Sequence, residues 1–287
     1  MTDRFRLTSD HLERSRDRGA NKMHASERFC LGKGVVGIER LEAYLYGEAF
    51  SRHRHDTYAI GITLSGVQSF YYRGEQRYCT PNQYYVLHPD EDHDGMSGTE
   101  TGFGYCIAYI SPSLIQQALG GKPLPFVPDP ILTLTRSQKR RLARLWDMDD
   151  PIDELGRIEM VEALSGVLTE LTASKDDAKK PLPLERLMRV RDLVASDPAR
   201  RWTLTELESV ADLDRWALAR KFRSAFGTSP TRFRTMRQLD LARACIMRGH
   251  SLSDAALEAG FADQAHMTRK FGAAYGLSPA RWAAALN

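Results

Sequence analysis

The chain contains few cysteines and no long apolar run. Its four cysteines stand at positions 30, 79, 106 and 245, and none belongs to a C-x-x-C pair. This scarcity excludes a disulfide framework and a zinc knuckle, and we expect four reduced thiols. No stretch approaches the roughly 18 consecutive apolar residues of a membrane span, and the charged start lacks the apolar segment of a secretory signal. We therefore expect a cytoplasmic protein that does not enter a membrane.

Neither sign of charge predominates, because the net charge is only +3 over 287 residues. From Leu184 onward there are 17 of the 40 Lys and Arg but only 11 of the 37 Asp and Glu, a net charge of +6, which leaves −3 for the remainder. The length predicts two domains, joined by the polar, proline-containing linker 173–183. A nucleic-acid-binding domain and a helical domain with solvated basic faces both account for this charge.

An internal repeat in the last third separates these alternatives. The segment from Arg220 to Pro230 recurs from Arg269 to Pro279, displaced by 49 residues. A short amphipathic helix pattern precedes each copy. Thr203 stands directly before the first pattern, and Ser251 stands directly before the second. Both residue types are favourable N-caps, and each is followed three positions later by an acidic residue. Each copy therefore predicts a helix, a tight turn and a second helix, which is the helix-turn-helix arrangement of DNA-binding proteins.

The second helix of each copy has an apolar face and a polar face. The expected caps are Asp214 and Asp263, and the expected inward residues are Leu218, Phe222, Met267 and Phe271. The outward residues are Trp216, Arg220, Gln264, His266, Thr268 and Arg269. Residues 231–248 lack Gly and Pro and predict one joining helix, ended by Gly249. Its length of about 27 Å is enough to hold the two second helices roughly one DNA turn, ~34 Å, apart.

The segment from about residue 184 to 286 resembles the DNA-binding domain of the AraC/XylS family of bacterial transcription regulators. The matching residues of the second copy are Ala256, Gly260, Phe261, Asp263, Gln264, Arg269, Phe271, Gly276, Ser278 and Pro279. The resemblance implies an all-α domain with two helix-turn-helix subdomains joined by a long helix. The first copy departs at Glu208, where the family usually has a small residue, and at Asp214, which replaces a frequent serine.

The resemblance also implies which side chains contact DNA. Those expected at base edges are Trp216, Arg220, Gln264, His266 and Arg269. Those expected at the DNA backbone are Arg215, Lys221, Arg223 and Lys270. Two alternatives stay open: Trp216 as a packing aromatic, and Arg269 as a phosphate contact.

The first two-thirds of the chain predict a β-rich domain. Residues 1–35 are charged and aperiodic, which predicts a mobile arm. Residues 36–172 begin with short runs rich in Val, Ile, Thr, Tyr and Phe, near 38–46, 57–65, 68–73, 76–80, 83–88 and 103–110. Such spacing favours a small β-sandwich or barrel. The Ser111-Pro112 and Asp150-Pro151 pairs then predict helix starts. Together the two parts give an α+β protein of two domains.

The second of these helices carries an apolar stripe at spacings of three and four. Its members are Leu155, Ile158, Val161, Leu164, Leu168 and Leu171, preceded by Ile152. The stripe is wider than one face against a barrel needs, which predicts a dimerisation helix. Packing of the same stripe on the barrel is the alternative.

The β-rich region resembles a cupin barrel, specifically the effector-binding cupin joined to AraC-type DNA-binding domains. The resemblance rests on His53-x-His55, on the Leu64-Ser-Gly66 turn and on residues 81–93, which end in His93. Three histidines suit a metal. Metal-binding cupins add a carboxylate four or five residues past the second histidine, where this chain has Ala59 and Ile60, so we expect no metal and no other cofactor.

A pocket of hydrogen-bonding imidazoles is therefore the expectation for the barrel. Ten of the eleven tyrosines precede the linker, and tyrosine suits a small polar ligand, although β-propensity and packing also account for many of them. The pocket candidates are His55, Tyr58, His93 and Tyr105.

These features predict a one-component transcription regulator. A small-molecule effector in the barrel would change how a homodimer engages double-stranded operator DNA, and the resemblance implies activation, with RNA polymerase as a possible partner. The alternatives are a cupin enzyme, such as an isomerase or metal-dependent dioxygenase, and an architectural DNA-binding protein whose barrel only dimerises. The residues do not identify the effector, the operator or the target genes.

Overall fold

Ten strands form the first part of the chain in the computed structural model, which describes residues 28–172 and 181–284. The strands are β1 (Arg28–Leu31), β2 (Ile38–Leu45), β3 (Glu48–His53), β4 (Tyr58–Gly66), β5 (Gln68–Tyr72), β6 (Glu75–Cys79), β7 (Tyr84–Leu87), β8 (His93–Ser97), β9 (Phe103–Ile110) and β10 (Ile131–Leu132). They form a six-stranded sheet of order β1-β2-β9-β4-β7-β10 and a four-stranded sheet of order β3-β8-β5-β6. Every paired neighbour is antiparallel.

The larger sheet is buried on both faces. Along β4, Ala59 faces the four-stranded sheet, whereas its neighbours Tyr58 and Ile60 face the opposite side. That opposite side is covered by three helices, α1 (Pro112–Leu119), α2 (Arg136–Leu142) and α3 (Glu154–Leu171). The space between the sheets is filled by a second core that includes Phe70 and Tyr105. Successive strand residues point to opposite faces, so the two cores alternate along each central strand. We call residues 28–172 the β-domain.

The predicted strands are confirmed with bounds that differ by at most one residue, and four strands were missed. The missed strands are β1, β3, β8 and β10. Strands β3 and β8 have polar sequences, and β10 has only two residues, so their alternation is weak. The predicted arm, residues 1–35, is wrong for its last part, because Arg28–Leu31 pair with β2 at the sheet edge. Residues 1–27 of that arm lie outside the described residues, as do 173–180 of the linker.

The apolar stripe of α3 belongs mainly to the core of the β-domain. Val161, Leu164 and Leu168 are buried against the six-stranded sheet, and Leu171 packs partly against the same cluster. Their assignment to a dimer interface is therefore corrected: they are already covered within one chain. Leu155 and Ile158 alone of the predicted set are exposed, at 63% and 46%.

The two predicted helix starts in this region differ in outcome. Ser111 and Pro112 begin α1 as expected. Helix α3 begins three residues later than Pro151 predicts. Its N-cap is Asp153, whose Oδ1 accepts a hydrogen bond from the Gly156 N–H at 2.7 Å.

Seven helices form the second part of the described chain. They are α4 (Leu184–Ser196), α5 (Leu204–Ala211), α6 (Arg215–Phe226), α7 (Pro230–Met247), α8 (Leu252–Glu258), α9 (Gln264–Tyr275) and α10 (Pro279–Ala284). The long helix α7 joins two cores, since Phe233 packs with α4, α5 and α6 and Leu239 packs with α8 and α9. The expected pair of helix-turn-helix subdomains on a shared helix is thereby confirmed. We call residues 184–284 the helical domain. Among the described helices, none combines the length and hydropathy needed to cross a bilayer.

The burial of the α3 stripe predicts unequal effects for two leucine truncations. Leu164→Ala should lower the free energy of unfolding by about 2 to 5 kcal/mol, because it leaves a cavity in the core. Leu155→Ala is the matched control on the exposed face of the helix and should change it by less than about 0.5 kcal/mol. Urea unfolding with light scattering measures stability and subunit count together. A Leu164→Ala protein of unchanged stability but altered subunit count would contradict the core assignment.

Candidate nucleic-acid interface and effector site

The first helix-turn-helix unit consists of α5 and α6. The Thr203 Oγ1 accepts a hydrogen bond from the Glu206 N–H at 3.2 Å, and the Glu206 carboxylate accepts one from the Thr203 N–H at 2.7 Å. This capping box fixes the start of α5. Helix α6 is capped by Asp214, and its Leu218 and Phe222 are buried. The predicted caps and inward residues are therefore confirmed, and the opposite face of α6 is left outward.

That outward face carries the predicted base-contact pair of the first unit. Trp216 is 71% exposed. The alternative that it packs in the core is therefore wrong. Arg220 lies one helical turn later and is exposed as well. An indole and a guanidinium four residues apart share one face of a helix. Contact of this pair with bases stays a prediction.

Glu208 explains one departure from the family pattern. Its Oε1 accepts a hydrogen bond from the Arg215 backbone N–H at 2.7 Å and lies 3.3 Å from the Arg215 Nε. The carboxylate thus helps to cap the N-terminus of α6, where negative charge is favourable. Arg215 remains exposed, as its predicted role at the DNA backbone requires.

The second unit, α8 and α9, repeats this construction. Ser251 caps α8, and Asp263 caps α9 by accepting from the His266 N–H at 2.6 Å. Met267 and Phe271 are buried beneath α9. On the other face, three predicted contact residues are exposed: Gln264, Arg269 and Lys270. The unit therefore presents the side-chain types that match purine edges and phosphates.

Two predicted DNA contacts are partly covered. The His266 ring is half-buried and lies 5.5 Å from the Phe261 ring, edge to face. Lys221 is half-buried on α6. Their roles at the DNA stay predictions, although less of each side chain is exposed to solvent than the sequence pattern implies.

Arg223 is exposed and also paired with the other domain. Its Nη2 lies 2.9 Å from Oδ2 of Asp90 in the β-domain, and its side chain is 61% exposed. The predicted backbone contact stays a prediction, for a guanidinium that is paired with a carboxylate in this structure. Residues separated by 133 positions meet here, which local sequence patterns do not reveal.

The structure brings two of the four effector candidates together. His55 and His93 are buried with ring centroids 4.8 Å apart, and His53 joins them at 4.3 Å from His93. We call these three residues the histidine cluster. Burial, together with the smaller effect of a neighbouring imidazole, lowers the pKa of His55 and of His93 to about 3. Burial also places the pKa of His53 well below its usual value. All three rings are therefore neutral at physiological pH.

The backbone assigns the protons on these rings. Each Nδ1 faces a main-chain carbonyl, that of Ser51 at 2.8 Å, of Thr57 at 3.0 Å and of Glu91 at 2.9 Å. Carbonyls only accept, so each Nδ1 carries the proton and donates it. Each Nε2 then keeps its lone pair. The cluster can accept hydrogen bonds from a ligand or bind a cation, and it carries no positive charge for an anion.

The two tyrosine candidates lie on opposite faces of the six-stranded sheet. Tyr105 is in the core between the sheets, with its ring stacked 5.5 Å from Phe103. Tyr58 faces the helices, and its hydroxyl donates to the Pro125 carbonyl at 2.6 Å. Tyr58 is therefore wrong as a lining residue of the barrel interior. Tyr109 was missed: its ring lies 5.3 Å from that of His55, on the same strand face as Tyr105. The period of two along β9 was the available signal.

The spacing of ligand atoms bears on whether the histidine cluster can hold a metal. Within residues 28–172 and 181–284, one group offers three ligand atoms within 4.8 Å of one another, and it consists of Cys245, His250 and Glu258. The histidine cluster does not meet that spacing as it stands. At the Cys245 group, Arg248 Nη2 lies 3.2 Å from both the Cys245 Sγ and the Glu258 Oε1, so a guanidinium occupies that position.

Comparison with known families places both domains. The family model described as AraC-like ligand binding domain matches residues 35–179, which is half of the chain. The model described as helix-turn-helix domain matches residues 207–285. The two matches follow the same order as the β-domain and the helical domain.

Individual proteins of similar sequence or structure agree with this order. The chain is 23% identical over 239 residues to YbfI of Bacillus subtilis (strain 168), an uncharacterized HTH-type transcriptional regulator, covering 79% of this chain and 86% of the relative. The fold is similar to that of ToxT from Vibrio cholerae O395, with a TM-score of 0.61, 13% identity, and coverage of 88% of this chain and 99% of ToxT. A fatty-acid-bound ToxT from strain SCE256 gives 0.59 at 15% identity, covering 92% and 97%. At these identities the ToxT comparison shows the fold alone.

Because the histidine cluster is buried, we expect the free energy of unfolding to decrease as the pH is lowered. Because the usual histidine pKa is 6.5 and that of His93 is about 3 in the fold, the unfolded chain binds protons first as the pH falls. The contribution is full above about pH 6.5 and is lost toward pH 3, up to about 2 kcal/mol per buried histidine between pH 7 and 5. His93→Gln should remove the contribution of this one histidine to the pH dependence of stability. Urea unfolding across that range measures it, and an unchanged pH slope in the variant would contradict the assignment.

Proposed function

The chain belongs to the AraC family of transcriptional regulators, and on that premise we propose that it is a cytoplasmic one-component activator whose operator binding is controlled by a small molecule held in the β-domain. The observation that carries the proposal is the pair of helix-turn-helix units on one helix. Each unit has a capped second helix with a buried apolar face and an exposed face rich in groups that pair with bases.

The DNA-binding step uses α6 and α9 as recognition helices. Arg220 and Arg269 can each donate two parallel hydrogen bonds to a guanine edge, and Gln264 can pair with an adenine. Arg215 and Lys270 flank these groups and supply phosphate contacts, which set the position on the duplex without selecting sequence. One chain would then occupy two successive major grooves.

The effector-binding step uses the histidine cluster. Three neutral imidazoles with free Nε2 lone pairs favour a ligand that donates hydrogen bonds, and Tyr109 and Phe50 add aromatic faces beside them. Structures of ToxT contain a bound unsaturated fatty acid or a naphthyl butenoic acid. Apolar carboxylic acids therefore belong in a first ligand screen beside polyhydroxylated compounds.

The regulator is proposed to act as a homodimer that contacts RNA polymerase at the promoter. The dimer contact is limited to the exposed part of the predicted stripe, Leu155 and Ile158, since the other members are buried in the core. A charged residue at Ile158 should then reduce dimerisation without unfolding the β-domain.

Two neighbouring substitutions on α9 test the DNA-binding step. Arg269→Ala should relax the preference at one base pair and cost about 1 to 3 kcal/mol on the operator. Lys270→Ala should weaken binding to all sequences alike and reduce the slope of log K against log salt by about one. Titrations on operator and scrambled duplexes at several salt concentrations measure both effects. An equal loss on every sequence for Arg269→Ala would assign that residue to phosphate instead.

Native mass spectrometry of the full-length protein tests the effector step. An organic adduct that is lost in a His93→Ala variant would support the histidine cluster as the site. Sequence-specific footprints that respond to no compound in the screen, together with an unliganded dimer, would favour an architectural DNA-binding protein and contradict effector control.

A further inference from the structure

The β-domain holds both repeats of the helical domain at equivalent positions. The Ser224 carbonyl, near the end of α6, accepts a hydrogen bond from the Leu124 N–H at 3.2 Å. The Ala273 carbonyl, near the end of α9, accepts one from the Arg54 N–H at 3.1 Å. Ser224 and Ala273 are 49 residues apart, which is the displacement of the repeat. The β-domain thus caps the C-terminal carbonyls of both recognition helices.

The glycines that end these helices show how close the contact is. Gly227 and Gly276 have φ values of 73° and 70°, a conformation that few other residues adopt without strain. A Cβ atom on Gly227 would lie 2.5 Å from Pro89, and one on Gly276 would lie 2.7 Å from the Ser51 carbonyl oxygen. Both helix ends therefore dock directly on the β-domain surface.

Asp90 is the charged centre of this docking surface. Its side chain is only 3% exposed, and it pairs with Arg223 Nη2 at 2.9 Å and with Arg232 Nε at 2.5 Å. Both arginines belong to the helical domain, whereas the carboxylate belongs to the loop between β7 and β8. A third guanidinium, that of Arg54 in the β-domain, has its Nε 3.8 Å from the Asp90 Oδ1. Removing a single partner from a buried carboxylate leaves its charge less compensated, so the pairs favour the docked arrangement.

Arg223 lies on the recognition face of α6. Trp216, Arg220 and Arg223 follow the spacing i, i+4, i+7, so Arg223 is within about 20° of Trp216 around the helix axis. A guanidinium in this position is suited to a DNA phosphate, and a carboxylate and a phosphate bind the same donor fork. The Asp90 carboxylate is therefore paired with a guanidinium that the same face of α6 would otherwise present to a DNA phosphate.

We propose that Asp90 is an autoinhibitory carboxylate, which competes with a DNA phosphate for Arg223 and so stabilises the docked, unbound state of the regulator. The inference rests on the proposed DNA-binding function. Binding of operator DNA transfers Arg223 from the carboxylate to the phosphate, and the docking of α6 on the β-domain weakens as a consequence.

The same contact connects to the histidine cluster. The Asp90 N–H donates to the His55 carbonyl at 2.8 Å, and His93, the first residue of β8, lies three residues further along the chain. A ligand that moves either imidazole therefore acts on the backbone that holds Asp90. Such a ligand would change the strength of the Asp90–Arg223 pair and thereby the affinity for DNA.

Asp90→Asn tests the proposal with little change in shape. Asn is nearly the same size and tolerates the left-handed backbone of Asp90, whose φ is 64°. Asp92→Asn is the matched control: it removes the same charge from the same loop, and Asp92 is half-exposed and pairs with Arg52 and Arg54 of the β-domain. Thermal unfolding of each full-length variant verifies that it is folded.

Operator titrations on the full-length proteins measure the effect of each substitution on the affinity for DNA. Asp90→Asn should bind about threefold to fivefold more tightly than Asp92→Asn. The slope of log K against log salt should be the same for both variants, because Arg223 contacts the phosphate in either bound complex. Arg223→Ala should cost more affinity in the Asp90→Asn background than in the wild type. In the Arg223→Ala background, Asp90→Asn should have no further effect.

Three outcomes would overturn the proposal. Equal affinities for the two aspartate variants would show no competition. An equal cost of Arg223→Ala in both backgrounds would show that Arg223 does not leave Asp90. A gain from Asp90→Asn that persists without Arg223 would assign the effect to docking by Arg232. Failure of every protein, wild type included, to bind any duplex would instead contradict the DNA-binding function itself.

Discussion

Two buried carboxylates of the β-domain, Asp56 and Asp90, have cationic partners in the helical domain, and the arrangement of the two domains depends on them. Asp56 is 5% exposed and pairs with Arg237 at 3.1 Å, while Asp90 pairs with Arg223 and Arg232. Burial raises the pKa of Asp56, and the charge of Arg237 opposes that rise. A poorly compensated buried charge is costly, so both carboxylates favour the arrangement in which the arginines of the helical domain are beside them. Charge pairing therefore joins the backbone hydrogen bonds at the ends of α6 and α9 in holding the two domains together.

This pairing places the proposed effector site and the DNA-binding helices in one connected unit. Asp56 directly follows His55, and Asp90 bonds to the His55 carbonyl, so both carboxylates are attached to the histidine cluster through the backbone. On the other side, Arg223 belongs to α6, and Arg232 and Arg237 belong to α7, the helix shared by both units. A ligand needs only to favour one arrangement of this short connection in order to bias DNA binding.

Local patterns in the sequence were sufficient for the helical domain and insufficient for the contacts between domains. The caps Thr203, Asp214 and Asp263 and the apolar spacing of Leu218 and Phe222 depend on neighbours a few residues away, and each was predicted. The face of Tyr58 and the burial of Leu164 depend on which side of the sheet the helices cover, and a single sequence does not contain that choice. The partner of Arg223 is 133 residues distant, so its pairing with Asp90 required the structure.

Hydrogen exchange at the Leu124 and Arg54 amides, measured with and without operator DNA, tests the central claim most directly. These N–H groups donate to the ends of α6 and α9, and they report docking of each repeat separately. The account predicts slow exchange at both in the free protein, and faster exchange at Leu124 when the operator is bound, because Arg223 has moved to a phosphate. Exchange at Leu124 that is equally slow with and without the operator would contradict competition between docking and DNA.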